Sequence, residues 1–196
     1  FTGIGSKYDG SVANTPSKYY KIIYYNIKNK FTKFPYHSLN IEIDLENLKK
    51  IEALRKNKFQ GKIEEQRYVK ARIYIFNDQN SKIKETVRVK LRPKGDRELH
   101  YLNLDSMSYK IDVRGKKKFI LGMEEMSLQK PIVRNYSWEI LFHDLLKSED
   151  VLALDIVPVK LYRNGEYLGI FVLEEGFGKE LLEKQSRKEG PIIGID

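Results

Sequence analysis

Phosphoryl transfer asks a protein for positioning and charge rather than for covalent chemistry, and several side chains of this chain suit that task. Lys110 stands between Tyr109 and Ile111 in an alternating stretch, so its stem packs and its ammonium aims in one direction. A strand lysine that meets nucleotide phosphates while a helix glutamate holds it is one such arrangement. Glu139, beside Trp138 on the helix that follows, is the candidate partner. Taken singly, Lys110 also reads as a snorkelling strand lysine and Glu139 as a solvated helix acid; their order raises both.

Further cations flank a glycine. Arg92 and Lys94 precede Gly95 and Asp96, and a turn of this kind lets backbone and side chains approach phosphates. The plainer reading is a hairpin exit with exposed charges. Arg134 reads as lying near a helix start opened by Pro131, against the preference of the helix dipole for an anion there. A cation so placed could hold a ligand phosphate or a carboxylate. Glu174 and Glu175 follow Leu173 at the end of a strand, and Glu175 also suits the dipole of the helix that comes next.

The elements that must position these groups can be read from periodicity. Aromatic and β-branched residues over 19–27 suggest a strand after a Gly- and Pro-containing loop at 1–18. Gly3-Ile4-Gly5 lacks the Gly-Lys-Ser/Thr ending of a phosphate loop. Leu39–Ile43 alternates at period two. Asp44 then caps a helix with Leu45, Leu48, Ile51 and Leu54 inward, ended by Asn57 and Gly61. Tyr68–Phe76 and Lys84–Leu91 form a hairpin about a turn at 77–80. Met107–Val113 is a fifth strand, turned by Arg114-Gly115-Lys116 toward Met123–Leu128. Pro131 opens a helix with Trp138, Ile140, Leu141, Leu145 and Leu146 on its apolar face. Ile156–Tyr162 and Tyr167–Leu173 flank Asn164-Gly165, a strong hairpin signal. Phe177–Lys188 is a helix with Phe177, Leu181 and Leu182 inward, and Pro191 begins another element. The class is α+β with a mainly antiparallel sheet and packed helices.

Composition bounds the rest. The 196 residues suit one domain, or a lobe with an extension. With 41% hydrophobic and 32% charged residues, including 13 Tyr and 9 Phe, the chain can bury a core. Zero Cys excludes disulfides, thiolate metal sites and cysteine nucleophiles, and suits either redox setting. His37, His100 and His143 lack metal-ligand spacing, so no metal site is assigned. No apolar run reaches the ~18 residues of a membrane span. The net charge of +9 and pI near 9.4 favour anionic partners, although dispersed surface Lys would give the same balance. The chain starts at Phe1 rather than Met and reads as a fragment of a longer protein.

An ordered set of short motifs carries a family resemblance. Arg92-Pro93-Lys94-Gly95-Asp96 is followed by Ser108-Tyr109-Lys110-Ile111. Then come Ser127-Leu128-Gln129-Lys130-Pro131, Arg134 and Glu139, and finally Asn164-Gly165-Glu166-Tyr167-Leu168-Gly169-Ile170-Phe171 running into Leu173-Glu174-Glu175. Over about residues 67–196 this resembles the spore-coat protein H kinase family of atypical, eukaryotic-like protein kinases. The resemblance implies a reduced protein-kinase-like lobe and ATP- and Mg²⁺-dependent phosphate transfer to protein Ser or Thr. It implies an ATP site drawing on Arg92, Lys94, Gly95, Lys110, Arg134, Glu139, Glu174 and Glu175, with 173–176 as the hinge beside adenine. The family's catalytic and metal-binding aspartates come after the hinge and its helix, so no catalytic residue is assigned, Asp196 included. Residues 1–66 match no pattern of the family and read as an N-terminal extension.

Two other classes compete. One is a structural or surface-assembly module on the same scaffold without catalysis. The other is a basic nucleic-acid-binding domain, the least favoured; its best aromatic–basic stretch is Tyr19–Tyr25 with Lys21 and Lys28, whose alternation suits burial equally well.

Overall fold

A computed structural model describes residues 37–60, 67–77, 83–95, 97–115, 118–188 and 190. The readings over 1–18 and 19–27, the hairpin turn after Asn77, the helix-ending Gly61, Asp96, Lys116, Pro191 and Asp196 lie outside them. The described strands are β1 (His37–Glu42), β2 (Val69–Asn77), β3 (Ile83–Pro93), β4 (Tyr109–Val113), β5 (Glu125–Gln129), β6 (Ile156–Arg163) and β7 (Glu166–Glu175). The helices are α1 (Leu45–Phe59), α2 (Trp138–Ser148) and α3 (Lys179–Lys184), with 3₁₀ turns at Glu98–His100 and Pro131–Arg134.

The class is α+β, and the sheet closes into a seven-stranded barrel in the order β1-β2-β3-β4-β5-β7-β6. Six of its seven pairings are antiparallel. The seventh, β1 with β6, is parallel and makes the barrel mixed. Alternation fills the interior: Leu39, Ile73, Val89, Leu91, Ile111, Leu128, Leu161 and Phe171 belong to one buried cluster. Closure leaves the sheet without a free edge among these strands, which removes a site for unwanted strand pairing.

The chain divides into two compact units. One holds α2 within Ser137–Ala153; the other holds every other described residue. β1 and α1, although N-terminal to residue 67, therefore belong to the barrel unit.

Several local signals act as expected. Asp44 Oδ1 accepts from the Asn47 N–H at 2.7 Å, which caps α1. Asn164 and Gly165 form the two-residue β6–β7 turn with φ of 50° and 86°, the left-handed pair such a turn requires. Asn164 also exchanges two hydrogen bonds with the backbone of Ile43, at 2.8 and 2.9 Å, tying the turn to the end of β1.

Other expectations are corrected. Pro131 opens only a 3₁₀ turn; Asn135 and Tyr136 then take φ of 53° and 60°, and this left-handed break delays α2 until Trp138. Arg134 thus ends a turn, where a cation suits the local dipole, rather than beginning a helix. Trp138 is exposed while Ile140 is buried. Leu45 is exposed because it is the first residue of α1, and the inward face runs through Ile51. Phe177 also points outward: extended Gly178 caps α3, so Phe177 precedes the helix whose Leu181 and Leu182 are buried.

Candidate functional site

The candidate site forms on the outer face of β5 and β7. Their register sets Ser127 opposite Glu174 and Gln129 opposite Val172. Because Met126, Leu128, Phe171 and Leu173 belong to the interior cluster, Ser127, Gln129 and Glu174 point the other way. They are buried nonetheless, Glu174 at 7% exposure and Gln129 at 0%. The Pro131–Arg134 turn contacts β7 at this place.

A buried carboxylate requires compensating partners, and Glu174 has three. Gln129 Nε2 donates to its Oε2 at 2.5 Å. Arg134 Nη2 donates to Oε1 at 3.1 Å, and Lys94 Nζ approaches the same oxygen at 3.5 Å. Burial pushes the Lys94 ammonium below its ordinary value; the attraction of Glu174 opposes this, and the charge of Arg134 adds to the lowering. The side-chain oxygen of Gln129, Oε1, is buried without a hydrogen-bond partner among the described residues.

The loop carrying Lys94 is locked from behind. The Lys94 N–H donates to the Ser108 carbonyl at 2.9 Å, and Ser108 Oγ lies 3.0 Å from His100 Nδ1, both side chains buried. The His100 ring packs so closely on Gly95, at φ 91°, that a Cβ there would stand 2.2 Å from two ring carbons. Lys58 of α1 donates to the Gly95 carbonyl.

Burial, and then the charges of Lys94, Arg134, Lys58 and Arg97, hold the His100 imidazole below its ordinary value. Unfolded chains therefore bind this proton more readily than the native state. The neutral imidazole contributes stability that is complete above the unfolded value of about 6.5 and is lost as pH falls through it toward the lowered native value. Urea unfolding at pH 7.0 and 5.5 is expected to show that loss, and His100→Gln is expected to flatten it. An unchanged slope in the variant would assign the acid sensitivity to other groups.

The remaining sequence candidates fall in different places. Lys110 lies opposite Ser127, on the face that carries Glu174, but its own carboxylate is Glu125 at 2.9 Å. Arg92 lies opposite Lys110 with its guanidinium 5.4 Å above the Tyr68 ring. Glu175 faces the other way. It accepts from the Asp155 N–H at 3.0 Å and from Lys184 at 2.8 Å, a clasp that holds α3 to the barrel end. Glu139 is in the first turn of α2, in the other compact unit. The structure thus gathers Lys94, Gly95, Arg134 and Glu174, sets Lys110 and Arg92 two and three strands away along the cross-strand row of Glu174, and gives Glu175 a scaffold contact.

Sequence reasoning assigned no role to Gln129, His100 or Ser108 in this cluster. Gln129 had a legible signal: it shares strand parity with Ser127, against the apolar Met126 and Leu128. His100 had none, because its contact with Gly95 depends on the loop.

Lys94 and Arg134 meet the buried Glu174, and Lys110 and Arg92 add two cations further along the sheet, a concentration of positive charge able to meet an anionic group. Among the described residues, no three His, Asp or Glu side chains group so as to hold a metal ion. No family model matches the chain, and no curated protein matches it.

Proposed function

We propose that this chain provides the nucleotide-binding part of a kinase-like phosphotransferase, acting with ATP on protein Ser or Thr, as its resemblance to the spore-coat protein H kinase family implies. The observation that carries the reading is the Glu174 cluster. A carboxylate buried at a strand end orients a lysine and an arginine that would otherwise be mobile, and such pre-positioned cations are what phosphoryl transfer asks of a protein. In this reading β3, β4, β5 and β7 act as the antiparallel sheet of a reduced kinase-like lobe. Lys94 and Arg134 bind phosphate oxygens, Arg92 and Lys110 extend the cationic field, and the backbone of 173–176 lies beside the base.

The expected result is saturable ATP binding by calorimetry. A charge-assisted hydrogen bond contributes about 1.5–3 kcal/mol, so Lys94→Ala should weaken binding roughly 10- to 100-fold. Lys110→Ala, two strands from Glu174 along the same row, should weaken it less. Binding that neither substitution alters would overturn the assignment. A second reading, a non-catalytic assembly module, has its own support: Lys94 and Arg134 already hold Glu174, and Lys110 holds Glu125, so the charges are compensated without a ligand. Failure of the parent chain to bind ATP would favour it.

A further inference from the structure

A different stretch of the barrel, the outer face of β2 and β3, holds cations that described residues compensate only in part. The register sets Lys70 opposite Lys90 and Arg72 opposite Arg88. Arg114 comes next to Arg88, donating its N–H to the Arg88 carbonyl at 2.8 Å. Like charges directly opposite one another destabilise a sheet, and here two consecutive rows carry them. These five cations line a groove of about 1120 Å³. Arg72 has partial relief from Glu42 at 3.6 Å, and the Lys90 ammonium lies 5.0 Å over the Tyr68 ring. Among the described residues, no carboxylate lies within ion-pair distance of Lys70, Arg88 or Arg114.

We propose that this groove docks an extended acidic segment of a protein partner, with Asp or Glu at alternate positions. Three observations select that occupant. The sign and density of the charge require an anion. Rows two residues apart along a strand repeat at about 6.6–6.8 Å, the same repeat at which an extended peptide presents every second side chain. Among the described residues, the groove lining itself includes no aromatic side chain, with Tyr68 and Tyr74 beside it against Lys90 and Glu42, so it offers few of the stacking platforms on which single-stranded nucleic acid binds. Glu42 and Asp44 also line it, and they would oppose an unbroken phosphate backbone, whereas a peptide can place a neutral or basic residue against them. The proposal stands apart from the nucleotide reading, because it uses other residues and is measured without ATP.

The test is fluorescence anisotropy of a labelled short peptide alternating Glu and Thr, titrated with the full chain. A Lys/Thr peptide and a single-stranded oligonucleotide of equal length serve as comparisons. The acidic peptide is expected to bind saturably, with affinity falling as salt rises. Arg88→Glu is expected to reduce that affinity roughly tenfold or more. Its melting temperature should equal or exceed that of the parent, because Arg72 would then face an acid. Arg114→Ala, which leaves the strands untouched, should weaken binding in the same direction. Absence of saturable binding, tighter binding of the oligonucleotide, or full binding by both variants would overturn the proposal.

Discussion

Glu174→Ala is expected to cost about 3 kcal/mol of folding stability. The substitution removes the acceptor of the Gln129 side-chain amide, on a residue with no exposure. It also leaves the Lys94 ammonium, already disfavoured by burial, without its carboxylate. Removing one member of a buried charged pair costs about 3–5 kcal/mol. The lower end applies because the Lys94 side chain is 25% exposed and that of Arg134 39%, so both can recover some hydration. Urea unfolding at constant m-value measures the change. Glu174→Gln keeps the shape and one acceptor and should lose roughly half as much. A loss below about 0.5 kcal/mol, the range of an ordinary surface change, would show that the cluster contributes nothing net to folding.

Gly95→Ala should be comparably severe, about 2–4 kcal/mol, because two penalties combine. The first is backbone: at φ 91° a side chain is strained whatever the space. The second is steric, since the new Cβ would coincide with the His100 ring. If the ring leaves, it gives up the buried contact with Ser108, and Ser108 is also the residue whose carbonyl anchors the Lys94 N–H. Gly165→Ala separates the two terms. Its φ is 86°, but nothing lies within 4 Å of the added atom, so it should cost only about 1 kcal/mol. Equal losses at the two glycines would remove the steric argument. The Gly95 variant should also lose ATP affinity if Lys94 is the phosphate ligand, whereas the Gly165 variant should not.

These effects concentrate where the sequence was least legible. Lys110 and Glu139 were paired on their order along the chain, yet the structure gives Lys110 the acid Glu125, on the neighbouring strand. That preference depends on β4–β5 register, which no local pattern prints. Glu174 and Glu175 look interchangeable in sequence, but strand alternation turns one to the outer face with Lys94 and Arg134, and the other to Asp155 and Lys184. Arg134 was misread as a helix-start cation because Pro131 favours a first turn. The left-handed Asn135 and Tyr136 that break the turn carry no comparable signal.

The sequence by itself determined the α+β class, most strand positions, the Asp44 cap and the Asn164-Gly165 turn. All of these rest on interactions within a few residues, where periodicity and turn chemistry act directly. Tertiary structure alone decided the closure of the barrel, in which β1 pairs in parallel with β6. It also decided the Glu174 site, whose partners Lys94, Gln129 and Arg134 lie 80, 45 and 40 residues away. Such contacts depend on strand order and register, set by the collective burial of the apolar interior, and a one-residue slip would turn Gln129 and Glu174 to the other face.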